Sequence, residues 1–487
     1  MIAEMDLDFE SCYQATRSRD PRFDGWFIVG VRTTGIYCRP SCPSPVCPKP
    51  ANVTFYRTAA AAQLAGLRAC KRCRPDAAPG SAEWNSRADV VGRAMRLIAD
   101  GVIDREGVPG LARQLAVSVR HLHRLLVDAV GAPPLALARS QRAYQARLLV
   151  ETTRMPFGEV AFAAGFSSIR QFNDTLREIF DATPSQLRAA VRRRGAPHPG
   201  GLTLRLALRQ PYDPHGVVEW LAARALPGIE EYAHRAYRRV LRLPGGPGTV
   251  TLHPTPDHVH ATLRLATVAD LGSAVARCRR LLDLDADPGS YLPVLATDPA
   301  LAPLAEATPG LRLPGTVDGA ETALRTVLGP HAQTLVAALA EPLPGPDGGL
   351  THTFPGPAAI AAADLAMPAA RASTVREMAQ QLATGELRLD EGADRVEVRR
   401  GLLAVPGLGP AQVEDLMLHA LGDPDSFPAA DHSLRSAAGA HQLPADAAGL
   451  TRRANQWRPW RGYGAHLLWR AESTSVLPGN PQLARGR

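Results

Sequence analysis

The chain has 487 residues, 45% of them hydrophobic, seven cysteines and a formal net charge of +8. At about 150 residues per domain that length implies three or four domains rather than one core. No segment approaches the roughly 18–20 uninterrupted apolar residues of a membrane helix, and no signal peptide is legible. A membrane or secreted protein is therefore not expected, and a reducing cytosol is.

The charge is uneven. Residues 1–200 carry 28 Lys and Arg against 18 Asp and Glu, and residues 201–487 carry 27 against 29. The electrostatic footprint for a polyanion thus lies in the first half. Lysine occurs only at Lys49 and Lys71, so chemistry in the second half cannot use a lysine Schiff base. The Arg192–Arg194 run reads as a solvated helix end and linker.

The first element is a cysteine-rich module over residues 9–80. Its pairs Cys38-x3-Cys42 and Cys70-x2-Cys73 have the spacing of a tetrahedral zinc site supplied by two short loops, with two disulfides as the alternative. "GWFIVGV" and "NVTFYRT" read as strands, and "AAAAQLAGLRA" as a helix delivering the second pair. Thr34, Tyr37, Arg39, Arg68, Lys71 and Arg72 flank the cysteines and are candidate phosphate contacts. Cys47 lies outside the pattern and has no assigned role.

After a polar joint at 81–87, residues 88–194 are helical in pattern. Two similar units each carry a short turn, near Ala116–Ser118 and at Gly165, and a helix of about Pro133 to Glu151 joins them. A plain helical bundle is the alternative. A Pro/Gly stretch closes this region. Beyond it "LTLRLALRQPYD" and "TVTLHPTPDHVHATLRLA" alternate as strands, with helices "GVVEWLAARAL" and "LGSAVARCRRLLDL". From about residue 290 the pattern is helix after helix.

Three consecutive segments resemble bacterial proteins of the adaptive response to DNA alkylation. "VRTTGIYCRPSCPSP" and "KPANVTFYRTAAAAQLAGLRACKRCRPD" resemble the N-terminal domain of the Ada family. The resemblance implies one Zn2+ on Cys38, Cys42, Cys70 and Cys73, with Cys38 as the nucleophile that takes methyl from a DNA methylphosphotriester. "PFGEVAFAAGFSSIRQFNDTLREIFDATPSQLR" resembles the second unit of AraC-type DNA-binding domains. Recognition helices are then expected from Ser118 and Ser168, with Arg120, His121, Arg124, Ser168, Arg170, Gln171 and Asn173 facing DNA. Ala116 stands where a turn glycine is common.

Residues 202–487 resemble AlkA-type DNA-3-methyladenine glycosylases of the helix-hairpin-helix superfamily, through "VPGLGPAQVEDLMLHALGDPDSFPAADHSL" and "RRANQWRPWRGYGAHLLW". This implies a phosphate-binding hairpin with Gly407 and Gly409, and Asp431 as catalytic carboxylate acting on an everted alkylated purine. Trp220, Trp460 and Trp469, with Tyr463, are candidate walls of a base pocket, and His331 falls at the wedge position. Ala411, Gln412, Val413 and Asp415 depart from the family's hairpin-following run. A lone Cys278 excludes a four-cysteine iron–sulfur cluster in this half.

The expected architecture is multidomain. It comprises a small α+β zinc domain (1–82), an all-α double helix-turn-helix domain (86–194), a linker (195–201), an α+β subdomain (202–288) and an all-α helix-hairpin-helix glycosylase domain (289–487). The expected partners are alkylated and promoter double-stranded DNA and RNA polymerase. The expected setting is a monomer in the bacterial cytoplasm at the nucleoid. The implied function is a monofunctional glycosylase joined to a suicidal methyl acceptor and regulator. The alternative is an alkylation-sensing activator whose last part binds DNA without catalysis. The Pro-Cys-His-Arg string of alkylguanine methyltransferases is absent from the sequence, so transfer from O6-alkylguanine is not expected.

Overall fold

The computed structural model describes residues 9–19, 27–42, 44, 47–73, 75, 90–153, 155–192, 202–390, 393 and 395–476. The joint expected at 81–87 and the linker at 195–201 lie outside them. The chain divides into two compact units. One comprises Met1–Gln210, Leu243–Gly248 and Asp257–Ala276; the other comprises Pro211–Arg242, Thr249–Pro256 and Arg277–Arg487.

Four short strands build the cysteine module: β1 (Ile28–Val31), β2 (Ile36–Cys38), β3 (Val53–Tyr56) and β4 (Arg68–Ala69), in the order β3-β1-β2-β4. β1 is buried at every position, as a central strand of Ile and Val should be. The helix expected over 59–69 stops earlier, at Ala59–Leu64. The chain then enters β4, which pairs parallel with β2 in the register Ile36↔Arg68 and Tyr37↔Ala69. The second cysteine pair is therefore delivered by a strand, because the Leu67 amide turns back to the Ala62 carbonyl and ends the helix.

Residues 90–192 form seven helices among those described: Val90–Ala99, Val102–Gln114, Val119–Val130, Pro134–Thr152, Phe157–Ala163, Ile169–Phe180 and Pro184–Arg192. The long helix Pro134–Thr152 packs against helices on both sides of it in sequence, burying Ala143, Ala146, Leu149 and Val150 completely. Ser118 and Ser168 each cap the helix after them, accepting from the His121 and Gln171 amides at 3.2 Å. The two turns before these caps share a left-handed residue, Ala116 at φ +55° and Gly165 at φ +83°.

β5 (Leu202–Ala207), β6 (Glu230–Ala233), β7 (Ala236–Leu243), β8 (Gly246–Pro254) and β9 (His258–Arg264) form a five-stranded sheet in the order β5-β9-β8-β7-β6. The β6–β7 hairpin has no sequence signal, because its tight turn uses His234 and Arg235 at positive φ where Asn-Gly or Gly would announce it. A second hairpin, β10 (Pro342–Asp347) with β11 (Leu350–His352), corrects the all-α reading of 289–487. Its three prolines argue against a strand in the sequence, yet such a two-stranded ribbon tolerates them on its free edges.

The second unit buries Leu324, Val375, Met378, Leu402, Leu416 and Met417 from the helices Gly319–Leu328, Ala369–Thr384, Arg395–Ala404 and Pro410–His419. Within it lies a dry ion network. Arg239 donates to Glu230 at 3.0 Å and to both oxygens of Glu321 at 2.9 Å, and Arg325 bonds the same two carboxylates. Burial pushes the Glu230 carboxyl up, but Arg239 and Arg325 outweigh it and hold it at about 2.

Two of these local features bear directly on stability. A left-handed alanine costs about 1–2 kcal/mol, so Ala116→Gly should raise stability by about 0.5–1 kcal/mol in urea denaturation after the glycine's greater unfolded-state entropy is subtracted. Glu230 has a depressed folded-state pKa, so its contribution is complete above about pH 4.3 and is lost as pH falls toward about 2. Glu230→Gln should cost about 3–5 kcal/mol at neutral pH, leaving Arg239 buried with a poorer partner. It should also flatten the acid limb of a melting-temperature profile over that window.

Candidate metal centre and nucleotide cleft

The parallel register of β2 and β4, continued by one residue, sets Cys70 beside Cys38; the Cys70 amide donates to the Tyr37 carbonyl at 2.9 Å. The Cys42 amide donates to the Arg39 carbonyl at 3.1 Å, folding the first loop back, and Cys73 comes next in a turn. The four sulfurs all lie within 4.8 Å of one another, and every cysteine among the described residues is a free thiol, which removes the disulfide alternative. Tetrahedral Zn–S bonds of about 2.3 Å place sulfurs about 3.8 Å apart, so the cluster fits a zinc ion. Without a cation, hydrogen bonding among the crowded sulfurs pushes the Cys38 thiol far above the ordinary range. Cys38 is 7% exposed, whereas Cys42 is half-buried.

Of the expected phosphate contacts, Thr34, Lys71 and Arg72 are exposed, and Arg39 and Arg68 are half-buried. Tyr37 is a correction: it is fully buried, and its hydroxyl accepts from Gln63 Nε2 at 2.9 Å, so it faces the module's core. Arg68 and Lys71 both reach Asp181, at 2.5 and 3.3 Å. Asp181 ends the helix Ile169–Phe180, and Lys71 and Arg68 hold its carboxyl below the usual range. Two cations beside the sulfurs are thus already matched to a carboxylate.

On the two capped helices, Ser118, Arg120 and Arg124 are exposed, as are Ser168, Arg170 and Gln171, while His121 and Asn173 are half-buried. His121 Nδ1 meets Arg124 Nη2 at 3.1 Å, and Gln171 Oε1 accepts from the Ser167 hydroxyl and amide. The opposite faces, through Leu122, Leu126, Phe172 and Leu176, are fully buried. Each helix therefore presents one polar face of contiguous side chains.

In the second unit, Gly407 takes φ +84°, and a Cβ there would stand 2.3 Å from Thr374 Oγ1. Gly409 precedes the helix Pro410–His419, but its amide donates to Gln412 Oε1 at 3.1 Å. One of the two hairpin amides expected for phosphate is thus occupied by a side chain. His331 is half-buried at the end of a single 3-10 turn, Gly329–His331.

Asp431 caps the helix His432–Ala440. Its Oδ1 accepts from the Leu434 amide and the Ser433 hydroxyl at 2.7 Å and from Trp469 Nε1 at 3.3 Å, whereas Oδ2 takes no hydrogen bond among the described residues. Trp469 rides on the helix Arg461–Val476, whose approach is fixed by two carboxylates. Asp298, fully buried, accepts from Arg453, Gln456 and Trp457, and Asp425 accepts from Arg458 and Arg461. Trp220 approaches the same place through His419, with ring centroids 4.8 Å apart, and His419 lies 6.3 Å from Trp469.

The expected base-pocket tryptophans therefore separate. Trp220 and Trp469 converge near Asp431 and remain partly accessible, while Trp460 packs among Tyr291 and Tyr463 at 6% exposure, as a core residue. Tyr463 is fully buried and donates to Asp283. His419 and His466 are not singled out by the sequence; only their one-helix spacing to Asp415 and Trp469 carries any signal.

Comparison with known proteins matches these regions in turn. Residues 11–76 match the metal binding domain of Ada, residues 111–190 a helix-turn-helix domain and residues 203–318 the AlkA N-terminal domain. The chain is 53% identical over 493 residues to a Mycobacterium tuberculosis protein described as a probable bifunctional transcriptional activator/DNA repair enzyme AlkA, covering 98% of this chain and 99% of that one. It is 41% identical over 140 residues to the Escherichia coli bifunctional transcriptional activator/DNA repair enzyme Ada, spanning 29% of this chain and 37% of that protein. It is 30% identical over 283 residues to the Escherichia coli DNA-3-methyladenine glycosylase 2, spanning 54% of this chain and 95% of that enzyme. Zinc-module, helix-turn-helix and glycosylase regions occur together in one chain that is similar along its whole length to a single relative, and the chain belongs to the family of bifunctional transcriptional activator/DNA repair enzymes.

Proposed function

We propose that this protein receives methyl groups from DNA methylphosphotriesters on Cys38, reads promoter DNA through its two capped helices, and releases alkylated purines such as 3-methyladenine at Asp431. The convergence of Asp431 with Trp469 and, through His419, with Trp220 carries the excision reading. The four-sulfur cluster beside exposed cations supports methyl acceptance. The corresponding domains are 1–82, 86–194, 202–288 and 289–487.

One Zn2+ held by Cys38, Cys42, Cys70 and Cys73 supplies the charge that keeps sulfur ionised at neutral pH. The Cys38 sulfur attacks the methyl carbon in line. The S–C bond forms as the O–C bond breaks, and its electron pair returns to the phosphate oxygen, leaving an ordinary diester. Thr34, Arg39, Arg68, Lys71 and Arg72 orient the phosphate; Arg68 and Lys71 do so by exchanging Asp181 for it. The thiolate becomes a thioether, one negative charge leaves the site, and phosphate is held more tightly. Arg120, Arg124, Ser168, Arg170, Gln171 and Asn173 then contact bases or phosphates in successive major grooves.

At the second site the everted nucleotide lies against Trp220 and Trp469, with His331 filling the vacated stack and the Gly407–Gly409 hairpin on the phosphate. An alkylated purine is a cation and leaves readily. Asp431 Oδ2 then faces the oxocarbenium-like sugar, stabilises it and orients the attacking water. Without a lysine nearby the reaction ends at the abasic site, as in a monofunctional glycosylase. The setting proposed is a monomer at the cytoplasmic nucleoid that contacts RNA polymerase. No helix among the described residues is long and apolar enough to cross a membrane.

A second reading, an alkylation-sensing activator whose last domain binds without catalysis, is favoured by Gln412 occupying the Gly409 amide. Base release decides between the two readings. The intact chain should free 3-methyladenine from methylated duplex DNA, and Asp431→Asn should slow this about 10²–10³-fold; no release by the unaltered chain would establish the second reading. Incubation with DNA bearing labelled methylphosphotriesters should place one label on Cys38 by peptide mass spectrometry and none on Cys38→Ser. Label on the more exposed Cys42 would move the acceptor.

A further inference from the structure

The cleft beside Asp431 contains polar groups that the excision chemistry leaves unused. Asp415, on the helix Pro410–His419, keeps 37% of its side chain accessible and lies 3.7 Å from His419 Nε2. The protein around it nonetheless desolvates the carboxyl enough to raise its pKa against the pull of His419 and Arg224, with Asp431 adding to the rise. Asp415 is thus partly open to solvent while packed beside His419, itself in ring contact with Trp220. His419 is anchored: its Nδ1 lies 2.7 Å from the Pro314 carbonyl, which leaves Nε2 toward Asp415.

His466 supplies a second, independent observation. It is completely buried, lies edge-on to Trp220 and Trp469 at 6.3 and 6.5 Å, and neither ring nitrogen has a hydrogen-bond partner among the described residues. An orphaned imidazole between two tryptophans is costly unless something else completes it. Arg224 adds a third observation: its guanidinium stacks on Trp220 at 4.0 Å, so this ring already accepts a planar cation.

We infer that Asp415 is a specificity-determining residue: its carboxylate, beside His419, selects bases that carry a positive charge, while His466 hydrogen-bonds the edge of the base. This rests on the reading of the cleft as the seat of an everted base. An N-alkylated purine with intact glycosidic bond is a planar cation, whereas a deaminated or undamaged purine is neutral. Facing a desolvated carboxylate, the cation gains an ion pair and the neutral base gains only a contact. Binding of the cation in turn stabilises the charged form of Asp415. The carboxylate thus contributes most to the lesion it selects.

The test measures binding and release separately on the full chain. Tryptophan fluorescence should report 3,9-dimethyladeninium binding about tenfold more tightly than neutral 9-methyladenine. Asp415→Asn should reduce that preference to within about twofold, and Asp415→Glu should restore most of it. Circular dichroism confirms folding, and Asp415→Ser replaces Asn should the latter not fold. His466→Phe, which keeps the ring, should weaken both ligands to a similar degree. An unchanged preference in Asp415→Asn, or no preference in the unaltered chain, overturns the inference. Base release from 7-methylguanine and hypoxanthine duplexes is then compared. Charge selectivity in binding without any release would sink the excision reading and leave this one standing. Release without charge selectivity would do the reverse.

Discussion

Four sulfur atoms within 4.8 Å of one another cannot all be ionised unless a cation sits among them. This constraint organises the N-terminal module. Its sheet is too small to bury a large core, since the strands run from two to four residues, and such modules depend on a metal for their stability. The two-residue pairing of β4 with β2 is what makes the cluster. It brings Cys70 against Cys38 across a chain separation no local motif could span, and it places Arg68 and Lys71 on the rim. On the proposed reading, the groups that stabilise the fold are also the groups offered to the electrophile.

The second unit obeys a related logic with oxygen in place of sulfur. Asp431 and Asp415 are two carboxylates close enough to repel each other, a repulsion that Arg224 and His419 oppose. A site that gathers negative charge in low-dielectric surroundings is suited to positive charge, whether on a sugar that develops it or a base that brings it. Its walls are rigid because Asp298 and Asp425 fasten the segment that carries His466 and Trp469. The Glu230–Arg239–Glu321–Arg325 network is the dry counterpart, and it adjoins this site, because Arg325 Nη2 donates to the Arg224 carbonyl at 2.7 Å.

Several residues are legible from type and position because the physics that places them is local. Ser118 and Ser168 cap helices through bonds three residues away, and the polar faces of those helices depend only on helical periodicity. Asp431 likewise caps its own helix. Tyr37 and Trp460 are misjudged by sequence for the opposite reason. A tyrosine next to a ligand cysteine and a tryptophan near the chain's end have no local property that separates surface from core; pairing with Gln63 and stacking on Tyr291 decide it. The hairpins β6–β7 and β10–β11 escape a sequence reading because left-handed His234 and Arg235 and the prolines of 342–346 contradict ordinary turn and strand preferences.

The sequence alone determined the modular order, the grouping of four cysteines, the two serine-capped helices and the place of Asp431 at a helix start. Each is set by spacing within a few residues or by a motif long enough to be specific. Tertiary structure alone decided which tryptophans gather near Asp431, that Asp181 holds Arg68 and Lys71, and that His466 is buried without a hydrogen-bond partner among the described residues. Those facts depend on segments tens to hundreds of residues apart packing against one another. Burial and electrostatic field at such a meeting are properties of the packed chain, which no stretch of it encodes separately.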